Sequence, residues 1–96
     1  MATAKKDLTN TWQAISAAGE SGTCWLKTGV LNGGNGVVVD HSDSGVGSLN
    51  ENKAREVFKP IGNHDSLILS ADSAGDIFYA KCVDDGATAE LAVDVI

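Results

Sequence analysis

The chain has 96 residues, of which 43% are hydrophobic and 21% charged, with a formal net charge of −6. This length suits one domain, and the composition is that of a folded rather than a disordered chain. Nucleic acid and anionic membrane surfaces are excluded as expected partners. Both require clustered Lys or Arg, whereas the only adjacent basic pair in the sequence is Lys5-Lys6.

The sequence has no run approaching the roughly 20 apolar residues that span a bilayer. Its opening residues also lack the apolar segment of a secretory signal. We therefore expect a protein that is made in a cytoplasm and does not enter a membrane.

Short apolar segments separated by turn residues run along the whole chain. The alternation of apolar and polar side chains within them predicts β-strands. The predicted strands cover residues 12–15, 23–27, 37–39, 67–69, 77–82 and 89–95. Strands spaced by about 8–12 residues are typical of a sandwich or barrel. We therefore expect an all-β fold, namely a small antiparallel β-sandwich or jelly-roll-like barrel of about six to eight short strands.

Two segments allow alternatives. Residues 12–15 are predicted as a strand, but a short helix from Thr11 to Ala18 competes because Gln and Ala favour helix. Residues 50–56 follow a capping-box pattern and could form one or two helical turns. The alternative is a loop that runs into a strand from Glu56 to Lys59.

Turn residues and the polar start define the organisation of the chain. Asn32 to Gly36 and Asp84 to Gly86 contain Asn-Gly and Asp-Gly pairs, which predict hairpin turns. Residues 1–7 are predicted as a flexible N-terminal arm, with an added edge strand as the alternative. Residues 8–96 then form a single β-sandwich domain.

The alternation also predicts which side chains form the core. The inward-facing residues should be Leu26, Val37, Val39, Ile68, Phe78, Leu91 and Val93. Cys24 and Cys82 lie within apolar segments, and we expect both to be free, buried thiols because disulfides are rare in cytoplasmic proteins.

Two histidines and one group of carboxylates are the candidate polar sites of the sequence. His41 begins a predicted loop that extends to Leu49, and His64 precedes Asp65 in a predicted turn. The sequence brings no second set of polar residues to either histidine, so we expect no catalytic residue. Asp72 to Asp76 offers carboxylates to calcium, but the defined calcium-loop register is missing and turn chemistry explains the cluster. No metal ligand or cofactor is therefore expected.

Two aromatic residues and the basic pair are the candidate interface residues. Trp25 shares a predicted strand face with Thr23, so it is a candidate for an exposed aromatic platform or a subunit contact. Trp12 is the other tryptophan of the chain. We predict an interface that includes Lys5, Lys6, Trp12 and Trp25.

The order of these features resembles that of small virion proteins of tailed bacteriophages. The resemblance covers roughly residues 8 to 96. It begins with Leu8-Thr9-Asn10-Thr11-Trp12 and continues with a valine strand that ends in a polar loop, Val37 to Asp43. It ends with the Ile77-Phe78-Tyr79-Ala80-Lys81 segment and a final strand of the Ala-x-Leu-x-Val type. The residues from Asn50 to Glu56 depart from that pattern.

The resemblance implies a β-sandwich that decorates or cements a capsid, and no catalytic residues. We therefore expect a non-enzymatic structural protein located in the virion, bound to a phage capsid protein or another virion protein, and forming a homo-oligomer. The alternative that stays open is a receptor- or carbohydrate-binding module of a phage tail or fibre.

Overall fold

Eight β-strands and one 3-10 turn make up the computed structural model of the protein, which describes residues 2–28, 36–49, 56–58 and 67–95. For residues 2, 3, 26–28, 56–58 and 67 it describes the backbone alone. The strands are β1 (Ala2–Leu8), β2 (Gln13–Ala14), β3 (Gly22–Thr28), β4 (Val37–Ser42), β5 (Glu56–Phe58), β6 (Leu67–Leu69), β7 (Ile77–Cys82) and β8 (Ala89–Val95). The 3-10 turn is Val46–Ser48. Within these ranges, no helix has the length and apolar character needed to cross a membrane.

The strands form two antiparallel sheets that pack together. Sheet A has the strand order β1-β8-β3-β6, and sheet B has the order β2-β7-β4-β5. The longest pairings are β1 with β8, β3 with β8, and β4 with β7. This architecture confirms the predicted all-β fold and is that of a small β-sandwich.

The core lies between the sheets and follows the alternation of the strands. Val37 and Val39 of β4 and Phe78 of β7 face Leu91 and Val93 of β8, and all five are buried in one cluster. These five inward predictions are confirmed. The side chain of Leu26, also predicted to face inward, is outside the described part.

Ile68 was wrongly predicted to face the core. Its side chain is 67% exposed, while its neighbour Leu69 is 1% exposed and belongs to the core cluster. The segment Leu67-Ile68-Leu69 is apolar at every position. Such a run predicts a strand but does not say which alternate residues face inward.

The start of the chain is an edge strand, which corrects the prediction of a flexible arm for residues 1–7. Residues 2–8 pair with β8 along its whole length, from Ala2 opposite Val95 to Leu8 opposite Ala89. Leu8 is 1% exposed and packs in the core. Of the two alternatives for this segment, the structure therefore has the added edge strand.

The strands that flank the two predicted hairpin turns lie in different sheets. The turn from Asp84 to Gly86 is present, with the amide of Ala87 donating to the carbonyl of Asp84 at 3.2 Å and Gly86 at a φ of 80°. It leads from β7 in sheet B to β8 in sheet A, however, so its strands do not pair. Likewise β3 and β4, which flank the predicted turn from Asn32 to Gly36, lie in different sheets. Residues 29–35 between them lie outside the described residues.

The valine strand is longer than predicted. β4 continues through His41 and Ser42, which were expected in a loop. The antiparallel pairing with β7 extends to Ser42 opposite Ile77 and holds both residues in the sheet. Residues 50–55, the predicted helical turns, lie outside the described residues, and residues 56–58 form the strand β5.

Both cysteines are free and buried, as predicted. Burial raises the pKa of the Cys24 thiol from its ordinary 9.0 to about 12. The pKa of Cys82 is also raised, chiefly by burial and further by the negative charge of Asp84. Each thiol therefore stays protonated and unreactive at neutral pH.

Candidate functional site

The outer face of sheet A brings two of the predicted interface residues together. Lys5 of β1 and Trp25 of β3 both pair with Ala92 of β8, one from each side. Because residues in register across a sheet point to the same side, the three form one row. Cys24 and Val93, the neighbours of Trp25 and Ala92, are buried in the core. The Lys5-Ala92-Trp25 row therefore faces away from the core.

A second row extends this surface to the other edge of the sheet. Asp94 of β8 pairs with Thr23 of β3, and Thr23 pairs in turn with Ile68 of β6. Ile68 and Val46 are the two large hydrophobic residues that are exposed among those described, at 67% and 49%. We call the surface formed by Lys5, Thr23, Trp25, Ile68, Glu90 and Asp94 the Trp25 face; Ala92 lies on the same side of the sheet but is only 2% exposed.

Charged residues line the β1 side of the Trp25 face. The ammonium of Lys5 donates to a carboxylate oxygen of Glu90 at 2.9 Å and lies 3.5 Å from the carboxylate of Asp7. The hydrogen bond that Lys5 donates to Glu90, followed by the negative charge of Asp7, raises the pKa of Lys5. Lys5 therefore stays protonated at neutral pH, and it lies at the edge of the Trp25 face.

The other two predicted interface residues lie elsewhere. Lys6 is opposite Leu91, a core residue, and so belongs to the inner side of β1. Trp12 immediately precedes β2 in sheet B, where the ammonium of Lys81 lies 5.6 Å from the centre of its ring. The structure therefore gathers Lys5 and Trp25 on one surface and does not bring Lys6 or Trp12 to it.

A polar cluster that the sequence did not reveal lies at one end of the sandwich. His41, near the end of β4, approaches both carboxylate oxygens of Asp76 through Nδ1, at 2.8 and 2.9 Å. An ionised carboxylate only accepts hydrogen bonds, so Nδ1 carries the hydrogen and donates. The Asp76 side chain is only 4% exposed, and the imidazole packs against Phe78 with ring centroids 5.4 Å apart.

Asp72 completes this cluster from the surface side. Its backbone amide donates to the buried carboxylate of Asp76 at 3.0 Å, and its own carboxylate, 68% exposed, lies 3.7 Å from Nε2 of His41. One nitrogen of the imidazole thus faces a buried carboxylate and the other faces an exposed one. Donor atoms of the three residues all lie within 4.8 Å of one another.

The expectation that no polar residues converge on either histidine is therefore wrong for His41. The sequence showed Asp72 and Asp76 as carboxylates near each other, but His41 is 35 positions from Asp76. Only the pairing of β4 with β7, which sets His41 opposite Phe78, brings them together. His64, the other histidine considered, lies outside the described residues.

The hydroxyl nearest to His41 in the chain points away from it. Ser42 is the next residue of β4, so its side chain lies on the opposite face of the strand. Its hydroxyl hydrogen-bonds to those of Ser44, at 3.3 Å, and Ser48, and it accepts the backbone amide of Ser44 at 3.0 Å. These contacts build the loop that follows β4 and give Ser42 a structural role.

No family model, no curated protein and no solved structure matches this chain.

Proposed function

We propose that this protein is a non-enzymatic bacteriophage structural protein that decorates or cements the capsid by bridging neighbouring shell subunits. The observation that carries the proposal is the exposure of Ile68 on the Trp25 face. A four-stranded sheet that presents an exposed aliphatic side chain on the same face as a tryptophan is suited to docking against another protein, because interface centres are enriched in aromatic and apolar residues. The resemblance to small virion proteins points to the partner, which is the lattice of capsid subunits.

The size of the Trp25 face favours repeated weak contacts. Three strands of seven residues and one strand of three, about 4.8 Å apart, cover a projected area of roughly 400 Å². A specific interface of standard size takes about 800 Å² from each partner. A single copy would therefore need a second contact surface as well, and contact with two shell subunits at once would raise its retention through multivalency.

The protein would occupy the virion as repeated copies, next to a capsid protein or another virion protein. Two edges of sheet A are available for such contacts. β1 and β6 are the outer strands of that sheet in the described chain, and outer strands pair readily with other chains. A homo-oligomer formed through one of these edges would leave the Trp25 face directed at the shell.

A second candidate function is a receptor- or carbohydrate-binding module of a tail or fibre. The half-buried ring of Trp25, which shares its face with the hydroxyl of Thr23, favours this alternative. Sugars stack on partly exposed aromatic rings and take hydrogen bonds from neighbouring polar groups. Both functions use the same face but differ in the partner.

The test is sedimentation of the protein with shells that lack it. Ile68→Glu places a charge on the most exposed apolar residue of the Trp25 face and should abolish co-sedimentation. The control is Val46→Glu, which places the same charge at an exposed valine of the 3-10 turn, outside the Trp25 face, and should sediment like the wild type. Trp25→Ala should weaken retention at least tenfold. Far-UV circular dichroism checks that each variant is folded.

Two results would contradict the proposal. If the wild-type protein stays in the supernatant and shell stability to heat is unchanged, the protein does not decorate the shell. Glycan binding that is lost in Trp25→Ala would then establish the second candidate. If Val46→Glu and Ile68→Glu reduce retention equally, the Trp25 face is not the contact surface.

A further inference from the structure

At the end of the sandwich that carries His41, the 72–76 loop contacts the turn at Gly19. The backbone amide of Gly19 donates to the carbonyl of Asp76 at 2.8 Å, and Gly19 has a φ of +77°. A Cβ at Gly19 would contact the carbonyl oxygen of Ala74 at 2.8 Å, so the two loops touch closely. The amide of Asp76 also donates to the carbonyl of Ser73 at 3.2 Å. These contacts join the backbone of the 72–76 loop to the turn at Gly19, while the exposed side chain of Asp72 keeps its rotational freedom.

We propose that His41 and Asp72 bind a divalent transition-metal cation of the Zn²⁺ class, with Asp76 as the carboxylate that orients the imidazole. The geometry points to this arrangement of roles. Nδ1 of His41 is engaged by Asp76, and Nε2 is directed to the carboxylate of Asp72. Metal-bound histidines almost always donate their other ring N–H to a carboxylate or carbonyl group, which fixes the ring and raises its basicity.

The distance between Nε2 and the Asp72 oxygen fits two ligands of one metal ion. At 3.7 Å it is too long for a hydrogen bond. Two ligands that each bind zinc at about 2.0–2.1 Å in tetrahedral geometry lie roughly 3.4 Å apart. A small side-chain rotation of the exposed Asp72 closes the difference. The competing explanation is a plain ion pair between Asp72 and a protonated His41.

The donor types select the class of cation. Imidazole suits Zn²⁺, Cu²⁺ and Ni²⁺, whereas Ca²⁺ and Mg²⁺ take oxygen ligands. The nearly buried carboxylate of Asp76 contributes a negative charge behind the imidazole, which strengthens the attraction for a cation. The exposure of Asp72 leaves that side open to water for the remaining coordination positions. The bound ion would connect β4 to the 72–76 loop, independently of the Trp25 face.

The experiment is titration of the chelator-treated protein with Zn²⁺ by calorimetry, with Mg²⁺ and Ca²⁺ in parallel. We expect one Zn²⁺ per chain, a rise in the melting temperature with Zn²⁺, and neither effect with Mg²⁺ or Ca²⁺. Asp72→Asn removes an exposed ligand without disturbing the core and should weaken Zn²⁺ binding at least tenfold. His41→Ala should abolish it, and Asp76→Asn should weaken it about 10–100-fold.

Two matched controls separate this site from other metal-binding groups. His64→Ala removes the other histidine of the chain, and Asp85→Asn removes an exposed carboxylate of the β7–β8 turn; both should bind Zn²⁺ like the wild type. Co²⁺ in place of Zn²⁺ should give an absorption spectrum without a thiolate charge-transfer band, which excludes Cys24 and Cys82 as ligands. Unchanged Zn²⁺ binding in Asp72→Asn, or no Zn²⁺ binding by the folded wild type, would overturn the proposal and leave a plain ion pair.

Discussion

Leu8, the last residue of β1, lies opposite Ala89, the first residue of β8, and both side chains are buried in the core. The N-terminal strand therefore covers one edge of β8 and also contributes to the hydrophobic interior. Because of this pairing, we expect the N-terminal residues to contribute to folding. A mobile arm could be deleted with little effect on folding, whereas a strand with a core residue could not.

The first prediction concerns this strand. Leu8→Ala should destabilise the protein by about 2–5 kcal/mol, because it leaves a cavity where a fully buried leucine packed. Ile68→Ala is the matched control. It truncates an aliphatic residue that is 67% exposed and should cost less than about 1 kcal/mol. Urea unfolding followed by circular dichroism measures both, and equal losses would show that β1 does not pack as described.

The positions of the strands could be predicted from the sequence because the signals are local. In β8, Ala89, Leu91 and Val93 alternate with polar or small residues, and the structure buries them together on one side. An alternating pattern fixes the face of a strand, since successive side chains point in opposite directions. Where alternation is missing, as around Ile68, the pattern does not determine the face.

The pairing of the strands could not be predicted, because it depends on contacts far apart in sequence. The Asp84 to Gly86 turn reverses the chain as its residue types predict, but turn chemistry does not say whether the next strand joins the same sheet. For the same reason, the polar cluster of His41, Asp72 and Asp76 could not be predicted. His41 and Asp76 become neighbours only when β4 is known to pair with β7. A site built by long-range pairing leaves no spacing signal in a single sequence.

The second prediction concerns the buried carboxylate. Asp76→Ala should destabilise the protein by about 1–3 kcal/mol in metal-free buffer, because it removes the partner of His41 Nδ1 and of the Asp72 amide. Asp72→Ala removes a carboxylate that is 68% exposed and should cost at most about 1 kcal/mol. The measurement is the shift in the urea midpoint at constant slope. Equal effects of the two substitutions would contradict the burial of Asp76.

The third prediction is a pH dependence that Cys24 contributes above neutrality. The pKa of its thiol rises from 9.0 to about 12 in the folded protein because of burial. At a pH between these values the unfolded chain releases the thiol proton and the folded chain retains it. The contribution of Cys24 to the free energy of unfolding is therefore fully present below pH 9. It decreases by about 1.4 kcal/mol per pH unit as the pH rises toward 12.

Cys24→Ala isolates this contribution, because every other ionisable group of the chain is present in both proteins. The free energy of unfolding is measured between pH 8 and 11 for the wild type and the variant. The variant should be less stable at pH 8, because of the smaller side chain, but should lose stability less steeply as the pH rises. Parallel curves would mean that Cys24 is accessible to water in the folded state.

The last prediction concerns the close approach of β3 to β8 at Gly22. This residue pairs with Val95 on one side and Leu69 on the other, and a Cβ on it would overlap the carbonyl oxygen of Asp94. Its backbone is not in the left-handed region, so the constraint is space rather than torsion. Gly22→Ala must push β3 away from β8 and weaken hydrogen bonds in the centre of sheet A. We expect a loss of about 1–3 kcal/mol.

Whether Gly22→Ala lowers or raises the stability of the protein tests the close approach of β3 to β8. Without that close approach, alanine is preferred to glycine within a strand by roughly 0.5–1 kcal/mol. Gly47→Ala is the control, since a Cβ at Gly47 meets nothing within 4 Å and its φ is not left-handed. That variant should be neutral or more stable by about 0.4–1 kcal/mol. Thermal unfolding of both variants is the measurement. If Gly22→Ala is also stabilised, β3 and β8 are not in the close contact that holds Lys5 and Trp25 on either side of Ala92, and the Trp25 face loses its geometric basis.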